Sequence, residues 1–326
     1  MLLLAGNEVM QVLDMPDCME AVEKAFAELA SGTAVMPLRI NIFTLDGLAL
    51  YMPAYLKTMG ALACKVVTSY KNNPPKHNLP TILGKVLLQD PKTGDVTCIM
   101  DGAYLTAVRT GAASGVATKY LARKDKGQKA GIFGAGVQGR TQLWAMAVAR
   151  DLAQAYVYDV SDKAVAEFIK EMSTKLDLEV VKADSPEQIL EEADIICTAT
   201  SSPTPVFNGE KVREGTHINC VGSHTPDTRE LDTVIIKRSK VIADSYEACL
   251  NEAGDIMLPI REGAIKKSHL YAELGEVIIG RKPPRANDRE ITLFKSNGLA
   301  IQDAATAKLV YDKAVKAKIG TQIELY

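Results

Sequence analysis

Between Met15 and Ala30 the apolar positions recur at helical spacing, at Met15, Met19, Val22, Ala25, Phe26 and Leu29. That period predicts an amphipathic helix, with Pro16 in the first turn where its missing N–H costs nothing. Strand-like apolar runs follow at 38–45, 49–52, 61–67, 82–89 and 96–100. Asp46-Gly47 and Met59-Gly60 punctuate the first three runs, and Asp90-Pro91-Lys92-Thr93-Gly94-Asp95 separates the last two as a hairpin signal. A mostly antiparallel sheet is expected. Residues 105–122 read as a helix rich in small side chains that carries Arg109.

From residue 130 the pattern changes again. Short apolar strands at 131–133, 155–160, 179–182, 195–198, 217–221 and 241–243 alternate with helical stretches, the signature of a doubly wound parallel sheet. The tail, 297–317, opens with Gly298-Leu299-Ala300-Ile301-Gln302-Asp303 and continues as a helix, for which the N-terminal sheet is the natural partner. The predicted architecture is α/β: a Rossmann domain, 121–299, inserted in a second α+β domain built from 1–120 and 300–326.

The bulk properties narrow the class of partner. A chain of 326 residues, 47% hydrophobic with net charge −2, has room for about two domains and no electrostatic reason to bind nucleic acid or an anionic membrane. Its apolar runs are strand-sized, and the opening Met1 to Ala5 is too short for a signal-peptide core before Asn7 and Glu8 interrupt it. Six scattered cysteines with no C-x-x-C pattern read as reduced, buried thiols without a metal, which places the chain in the cytoplasm. The basic cluster 280–285 reads as a solvated loop.

One segment carries most of the chemistry. The strand ending at Phe133 runs into Gly134-Ala135-Gly136-Val137-Gln138-Gly139, a helix follows, and a second strand ends on Asp159, about 20 positions past the last glycine. Gly134 permits the tight turn, Gly136 lets backbone approach a pyrophosphate, and Gly139 lets the helix pack close to the sheet. The helix N-terminus directs unpaired N–H groups at phosphate. Asp159 suits a ribose diol and repels a 2′-phosphate, so NAD is expected over NADP; Arg140, at the helix start, is placed to touch phosphate.

Nicotinamide enzymes supply orientation and electrostatics to the cofactor's hydride chemistry, and an amino- or keto-acid substrate needs cations for its carboxylate. Arg39 follows Met36-Pro37-Leu38 in a strand, Lys65 lies inside the apolar run 61–67, and Arg109 sits among small apolar residues. An arginine at either position serves equally well in an ordinary salt bridge. Lys65 stands apart, because a lysine in an apolar strand is costly without a partner and titrates readily. His224, in Cys220-Val221-Gly222-Ser223-His224-Thr225-Pro226-Asp227, follows a nucleotide-domain strand at the end where ligands bind, though a surface loop accounts for it too. His77, His217 and His269 read as structural.

With these landmarks in place the chain resembles the ornithine cyclodeaminase/mu-crystallin family, nearest its archaeal-type alanine dehydrogenases. The resemblance runs end to end through Met52-Pro53-Ala54, Lys65 with Asn73-Pro74 and Leu79-Pro80-Thr81, the Leu105 to Ala113 segment, the glycine turn, Gly215-Thr216-His217-Ile218-Asn219, Arg229-Glu230-Leu231-Asp232, Gly275-Glu276-Val277 and the Gly298 to Asp303 segment. It implies a homodimer formed through the N-terminal domain, with Arg39, Lys65 and Arg109 around a small amino-acid or oxo-acid substrate. It implies an NAD site lined by Thr110, Gly136, Val137, Gln138, Asp159, Thr198, Ser201, Val221 and Ser223, with Asn297, Gly298 and Asp303 closing over the nicotinamide end.

Two departures from the family pattern bear on the substrate. His224 stands where ornithine cyclodeaminases carry an aspartate for the substrate amine, and Leu50 stands where a glutamate is expected. Losing both leaves ornithine's second ammonium without a counter-charge. The reading is therefore an NAD-dependent enzyme of the CH–NH2 or C=N group, with alanine first, Lys65 as the proton-transfer group and His224 assisting water. The walls of its side-chain pocket, through the resemblance, are Leu50, Met52, Thr68 and His224. Ornithine cyclodeamination, ketimine or pyrroline-2-carboxylate reduction, and mu-crystallin-like ligand binding without catalysis are the alternatives.

Overall fold

The computed structural model describes residues 1–325. Its elements run β1 (Leu2–Leu4), α1 (Gly6–Val12), α2 (Met15–Ala30), β2 (Ala34–Val35), β3 (Ile40–Phe43), β4 (Leu48–Leu56), β5 (Ala61–Ser69), α3 (Asn73–His77), β6 (Ile82–Gln89), β7 (Val96–Asp101) and α4 (Gly102–Leu121). An alternating stretch follows: β8 (Gln128–Phe133), α5 (Val137–Ala149), β9 (Leu152–Tyr158), α6 (Asp162–Leu176), β10 (Glu179–Lys182), α7 (Pro186–Glu192), β11 (Ile195–Thr198) and β12 (His217–Cys220). Beyond it come α8 (Thr233–Arg238), β13 (Ser239–Ala243), α9 (Tyr246–Glu252), α10 (Gly254–Arg261), β14 (Leu270–Glu273), α11 (Leu274–Ile278), β15 (Ile291–Lys295), α12 (Ala300–Ala317) and β16 (Thr321–Gln322). The chain divides into two compact units, 1–109 with 299–326 and 110–298. The division falls inside α4, immediately after Arg109, rather than after residue 120.

In the first unit an eight-stranded sheet runs β16-β1-β7-β6-β5-β4-β2, with β3 paired to β4; only β1 and β7 pair in parallel. The predicted antiparallel sheet is present, and β6 and α2 begin and end where the periodicity places them. Asp14 caps α2 by accepting from the Asp17 amide at 3.0 Å. Alternation puts Met52, Ala54, Leu56, Ala61, Ala63, Val86 and Leu88 on one buried face, and α12 packs across β4, β5 and β6 on the side it shares with α2. Lys65 belongs to that buried face, between Met52 and Val86 in register.

The second unit is one eight-stranded, wholly parallel sheet of order β10-β9-β8-β11-β12-β15-β13-β14. Strand order reverses between β8 and β11, the switch point of a doubly wound fold. Each face has its own core. Ala130, Ile132, Ala155, Val157, Ile195 and Cys197 pack on one side, and Phe133, Tyr156, Ile196 and Ile218 on the other. Two strands of this sheet escaped the sequence reading, β14 and β15. The second is central: it inserts between β12 and β13, although a run ending in a lysine looks like the start of a loop. Every residue of β15 is buried, Lys295 included. Arg285 also departs from the expected solvated loop, since it is half-buried and donates to the carbonyls of Gly215 and Glu290.

All six cysteines are free, five of them buried. Among the described residues no His, Cys, Asp or Glu cluster is arranged to hold a metal, and no helix is long and apolar enough to cross a membrane.

His217 is structural, as expected. It is buried in β12 with Nδ1 3.0 Å from the Thr292 hydroxyl, and burial, helped by Arg285, pushes its pKa down to about 3. Unfolding restores the ordinary value of 6.5, so stability is fully present above that pH and is lost as pH falls toward 3. Urea titrations across this range should show wild type losing about 1.4 kcal/mol per pH unit relative to His217→Gln below pH ~6.5, and no such difference above it.

Candidate active site

The glycine turn is built as the spacing requires. Gly134 leaves β8 at φ +104, where a Cβ would lie 2.5 Å from the Ala199 carbonyl oxygen. Gly139 packs so close that a Cβ would lie 2.0 Å from the Gly134 oxygen. Gly136, the N-cap of α5, faces open space instead: a Cβ there meets nothing within 4 Å, and no side chain caps the helix. Unpaired N–H groups and room for backbone approach therefore coincide, which is the cradle a pyrophosphate needs. Val137 and Gln138 form the first turn of α5, with Val137 largely exposed.

At the end of β9 the Asp159 carboxylate is already oriented. Its Oδ2 accepts the Ala135 amide at 2.8 Å and its Oδ1 the Ser161 amide at 2.9 Å. Each carboxylate oxygen has a second lone pair, so both retain capacity for a ribose diol. Arg140, placed by its sequence position to touch phosphate, has protein partners. It pairs with Glu171 at 2.7 Å, bonds the Ala135 carbonyl and lies over Phe168, because its position on α5 faces α6.

Glutamate 230, a sequence landmark without a role until now, fastens the loops after β11 and β12. Fully buried, it accepts from Thr198 Oγ1 (2.8 Å), the Thr200 amide (2.6 Å) and hydroxyl (2.7 Å), and the Gly222 amide (2.7 Å). Burial raises its pKa against the pull of the Thr200 donors. Thr198, predicted to line the cofactor, is instead buried with its hydroxyl committed to this carboxylate, a correction that follows from its place inside the sheet. Ser201 is exposed on the same loop, and Val221 is tied to β11 through its amide to Thr198 O. Ser223 is buried and donates to the Thr228 carbonyl. Thr110 is buried on α4, where its carbonyl accepts from Gln142.

A buried ion pair lies behind the same loop. Lys295 donates to Asp255 at 2.9 Å and to the Ser223 carbonyl at 2.6 Å, both charged groups being wholly buried. Burial works against the Lys295 charge, but Asp255 and neighbouring acids outweigh it and hold the ammonium above the usual lysine range. Asp255 also accepts the Glu230 and Leu231 amides. Asp244 receives the Asn297 and Gly298 amides at 2.6 and 2.8 Å and so fixes that segment. Neither Asp255 nor Asp244 stood out in the sequence. The available signal was Lys295, a charge at the end of the apolar run Ile291-Thr292-Leu293-Phe294.

In the first unit the charged residues converge. Lys65 Nζ lies 2.8 Å from Asp303 Oδ2, and Arg109 Nε lies 2.8 Å from Asp303 Oδ1. Gln302 Oε1 accepts from Arg109 Nη1 at 2.6 Å. Lys65 is 2% exposed and Asp303 1%. Burial first, then the Arg109 charge and to a smaller extent Arg39, push Lys65 down to about 8, against the upward pull of Asp303. Arg39 sits one residue before β3, not within a strand, and is half-buried. Asp303, expected to close over the nicotinamide, is instead the counter-ion of both buried cations.

Register sorts the predicted pocket walls. Leu50 and Met52 share the face of Lys65, since Met52 pairs with Lys65 and Leu50 with Val67. Thr68 is out of phase with Lys65 along β5 and points to the opposite face, so it is no wall on the Lys65 side. His224 is exposed on the loop after β12, with Nδ1 3.3 Å from the Gly222 carbonyl.

Comparison with known proteins places this geometry. A Thermococcus litoralis Δ1-pyrroline-2-carboxylate reductase, solved with NADH and L-proline, is 50% identical, with TM-score 0.95 over 99% of this chain and 100% of that one. An archaeal alanine dehydrogenase, solved as a dimer with bound NAD, is 38% identical, with TM-score 0.93 over 100% of this chain and 99% of that one. The alanine dehydrogenase of Archaeoglobus fulgidus is 38% identical over 325 residues, 100% of this chain and 98% of its relative. The ornithine cyclodeaminase/mu-crystallin family model matches residues 1–318, and the chain belongs to that family.

Proposed function

We propose that this protein is an NAD-dependent oxidoreductase of the C–N bond of small α-amino acids, with Δ1-pyrroline-2-carboxylate and L-proline as its first substrate pair. The observation that carries the reading is the buried arrangement of Lys65, Asp303 and Arg109 beside the apolar side chains of Leu50 and Met52. It offers cations to a carboxylate, a proton to a nitrogen and no counter-charge for a second ammonium. The T. litoralis neighbour, solved with NADH and L-proline, supports the choice of substrate. Alanine is the second reading, favoured by the A. fulgidus relative.

Gly134, Gly136, Val137, Gln138 and Gly139 would hold the pyrophosphate and Asp159 the adenosine ribose; Thr110, Ser201, Val221, Ser223, Asn297 and Gly298 remain the proposed lining of the rest of the cofactor site. When bound, NADH supplies the hydride. Arg109 and Arg39 hold the substrate carboxylate; a guanidinium has five N–H donors, so anchoring Arg109 through two is compatible with this task. The Lys65 ammonium donates its proton to the imine nitrogen and is recharged from solvent. A group titrating near 8 is largely protonated at neutral pH yet releases its proton readily. In the reverse direction the neutral amine accepts it.

NADH consumption should be at least about tenfold faster in kcat/KM with Δ1-pyrroline-2-carboxylate than with pyruvate plus ammonium, a preference of about 1.4 kcal/mol. Ornithine should release no ammonia. Lys65→Met should cost about 10²–10⁴ in kcat. Faster turnover of pyruvate would install alanine as the substrate, and ammonia from ornithine would overturn the argument from Leu50. Asp159→Ser should narrow the preference for NADH over NADPH; an unchanged ratio would remove Asp159 from cofactor selection.

We also propose that β3 and its neighbours form the homodimer contact. Ile40, Ile42 and Phe43 are exposed, Phe43 by 78%, on a strand whose pairing partner among the described residues is β4 alone, and Leu45 just beyond the strand is exposed as well. An apolar edge of this kind needs a cover, and the dimeric archaeal neighbour supports a second copy as that cover. Replacing Ile42 and Phe43 together by Glu should halve the mass measured by light scattering.

A further inference from the structure

We propose that Asp303 is a positioning residue of the reaction: its carboxylate, clamped between Lys65 and Arg109, aims the Lys65 ammonium at the substrate nitrogen and balances its buried charge. The inference rests on the reading of Lys65 as proton donor and adds to it the group that makes a buried lysine usable. Three charges lie together almost without solvent, at 2.8 Å on each side of the carboxylate, one oxygen to each cation. Two cations buried face to face would repel, and burial alone would strip Lys65 of its proton. Asp303 opposes both effects.

The geometry favours a fixed orientation over simple neutralisation. Asp303 lies in the first turn of α12, an 18-residue helix whose dipole stabilises a carboxylate there. The preceding residue, Gln302, holds Arg109 Nη1, so one helical turn locks the guanidinium and the carboxylate together. The groups facing Lys65 are few in kind. Met52 from β4 and Val86 from β6 are its apolar cross-strand neighbours, Asp303 comes from α12, and the Arg109 and Arg39 charges act from α4 and from the segment before β3. Asp303 is the one anion acting on Lys65 in that set, and both cations lower its proton affinity.

Lys65 must be protonated to donate, so imine reduction fails as pH rises through its pKa, near 8 in the native protein. Removing the Asp303 charge removes the upward pull and leaves burial, Arg109 and Arg39. Asp303→Asn keeps the shape. Its kcat should fall at neutral pH while KM for the imino acid holds or drops, because a carboxylate competing for Arg109 is gone. The alkaline limb of kcat should move down by at least about one pH unit. Asp303→Glu keeps the charge but displaces it by one methylene. Its limb should stay at the native pH while kcat falls, which separates aim from charge.

A substrate-free measurement completes the test. In protein labelled with ¹³Cε-lysine, the Lys65 signal, assigned by its loss in Lys65→Met, should titrate near 8 in the native chain and lower in Asp303→Asn. A Lys65 titration that does not move between the native chain and Asp303→Asn, or an unmoved limb in that variant, overturns the proposal even if imine reduction is confirmed. Asp303→Glu, which keeps the charge, supplies the comparison if Asp303→Asn fails to fold: native kcat in that variant would overturn the positioning role. Absence of turnover with every imino acid would instead sink the functional reading and leave the titration result standing.

Discussion

Burying a charge obliges the fold to bring a partner to it, and in the first unit that constraint organises everything around one carboxylate. Lys65 occupies a β5 position that alternation sends into the core, beside alanine, valine and methionine side chains. An unpaired ammonium there would be intolerable. Asp303 meets it from a helix contributed by the far end of the chain, and the same carboxylate takes Arg109 as well. The first unit therefore cannot be completed by residues 1–109 alone; α12 closes its sheet and supplies its counter-ion.

The second unit solves a related problem differently. A parallel sheet leaves its carboxyl ends with loops that must be polar enough to bind a ligand and rigid enough to hold it. Buried acids hold these loops from beneath. Glu230 gathers the segments after β11 and β12, Asp255 with Lys295 supports the carbonyl of Ser223, and Asp244 takes the amides of Asn297 and Gly298. The surface of the predicted cofactor site is mostly backbone and small side chains. Its precision comes from carboxylates that face away from solvent.

Much of this was legible in the residues, and what failed did so for identifiable reasons. Helix α2 and strand β6 follow directly from periodicity. The three glycines of the turn have the geometry their spacing calls for, because φ, open space and close approach are local properties. β15 was hidden because its charged end resembles a loop, and only Asp255, 40 residues away, makes that charge tolerable in a strand. Asp303 and Thr198 were placed on the cofactor by resemblance, but in the structure Asp303 forms ion pairs with Lys65 and Arg109, and Thr198 a hydrogen bond with Glu230. Thr68 failed on phase alone: one residue along a strand is the opposite face.

By itself, then, the sequence determined most of the strongly periodic elements, the parallel sheet with its glycine turn, the acidic residue after the second strand of that sheet, and Lys65 as a charge out of place. These depend on neighbours within a turn or along a strand, where the physics is local. Tertiary structure alone decided which charges meet. Lys65, Arg109 and Asp303 lie far apart along the chain, as do Glu230 and the loops it fastens, and no periodicity encodes a pairing at that range. Such pairs form because a packed core admits charge only when its partner arrives with it.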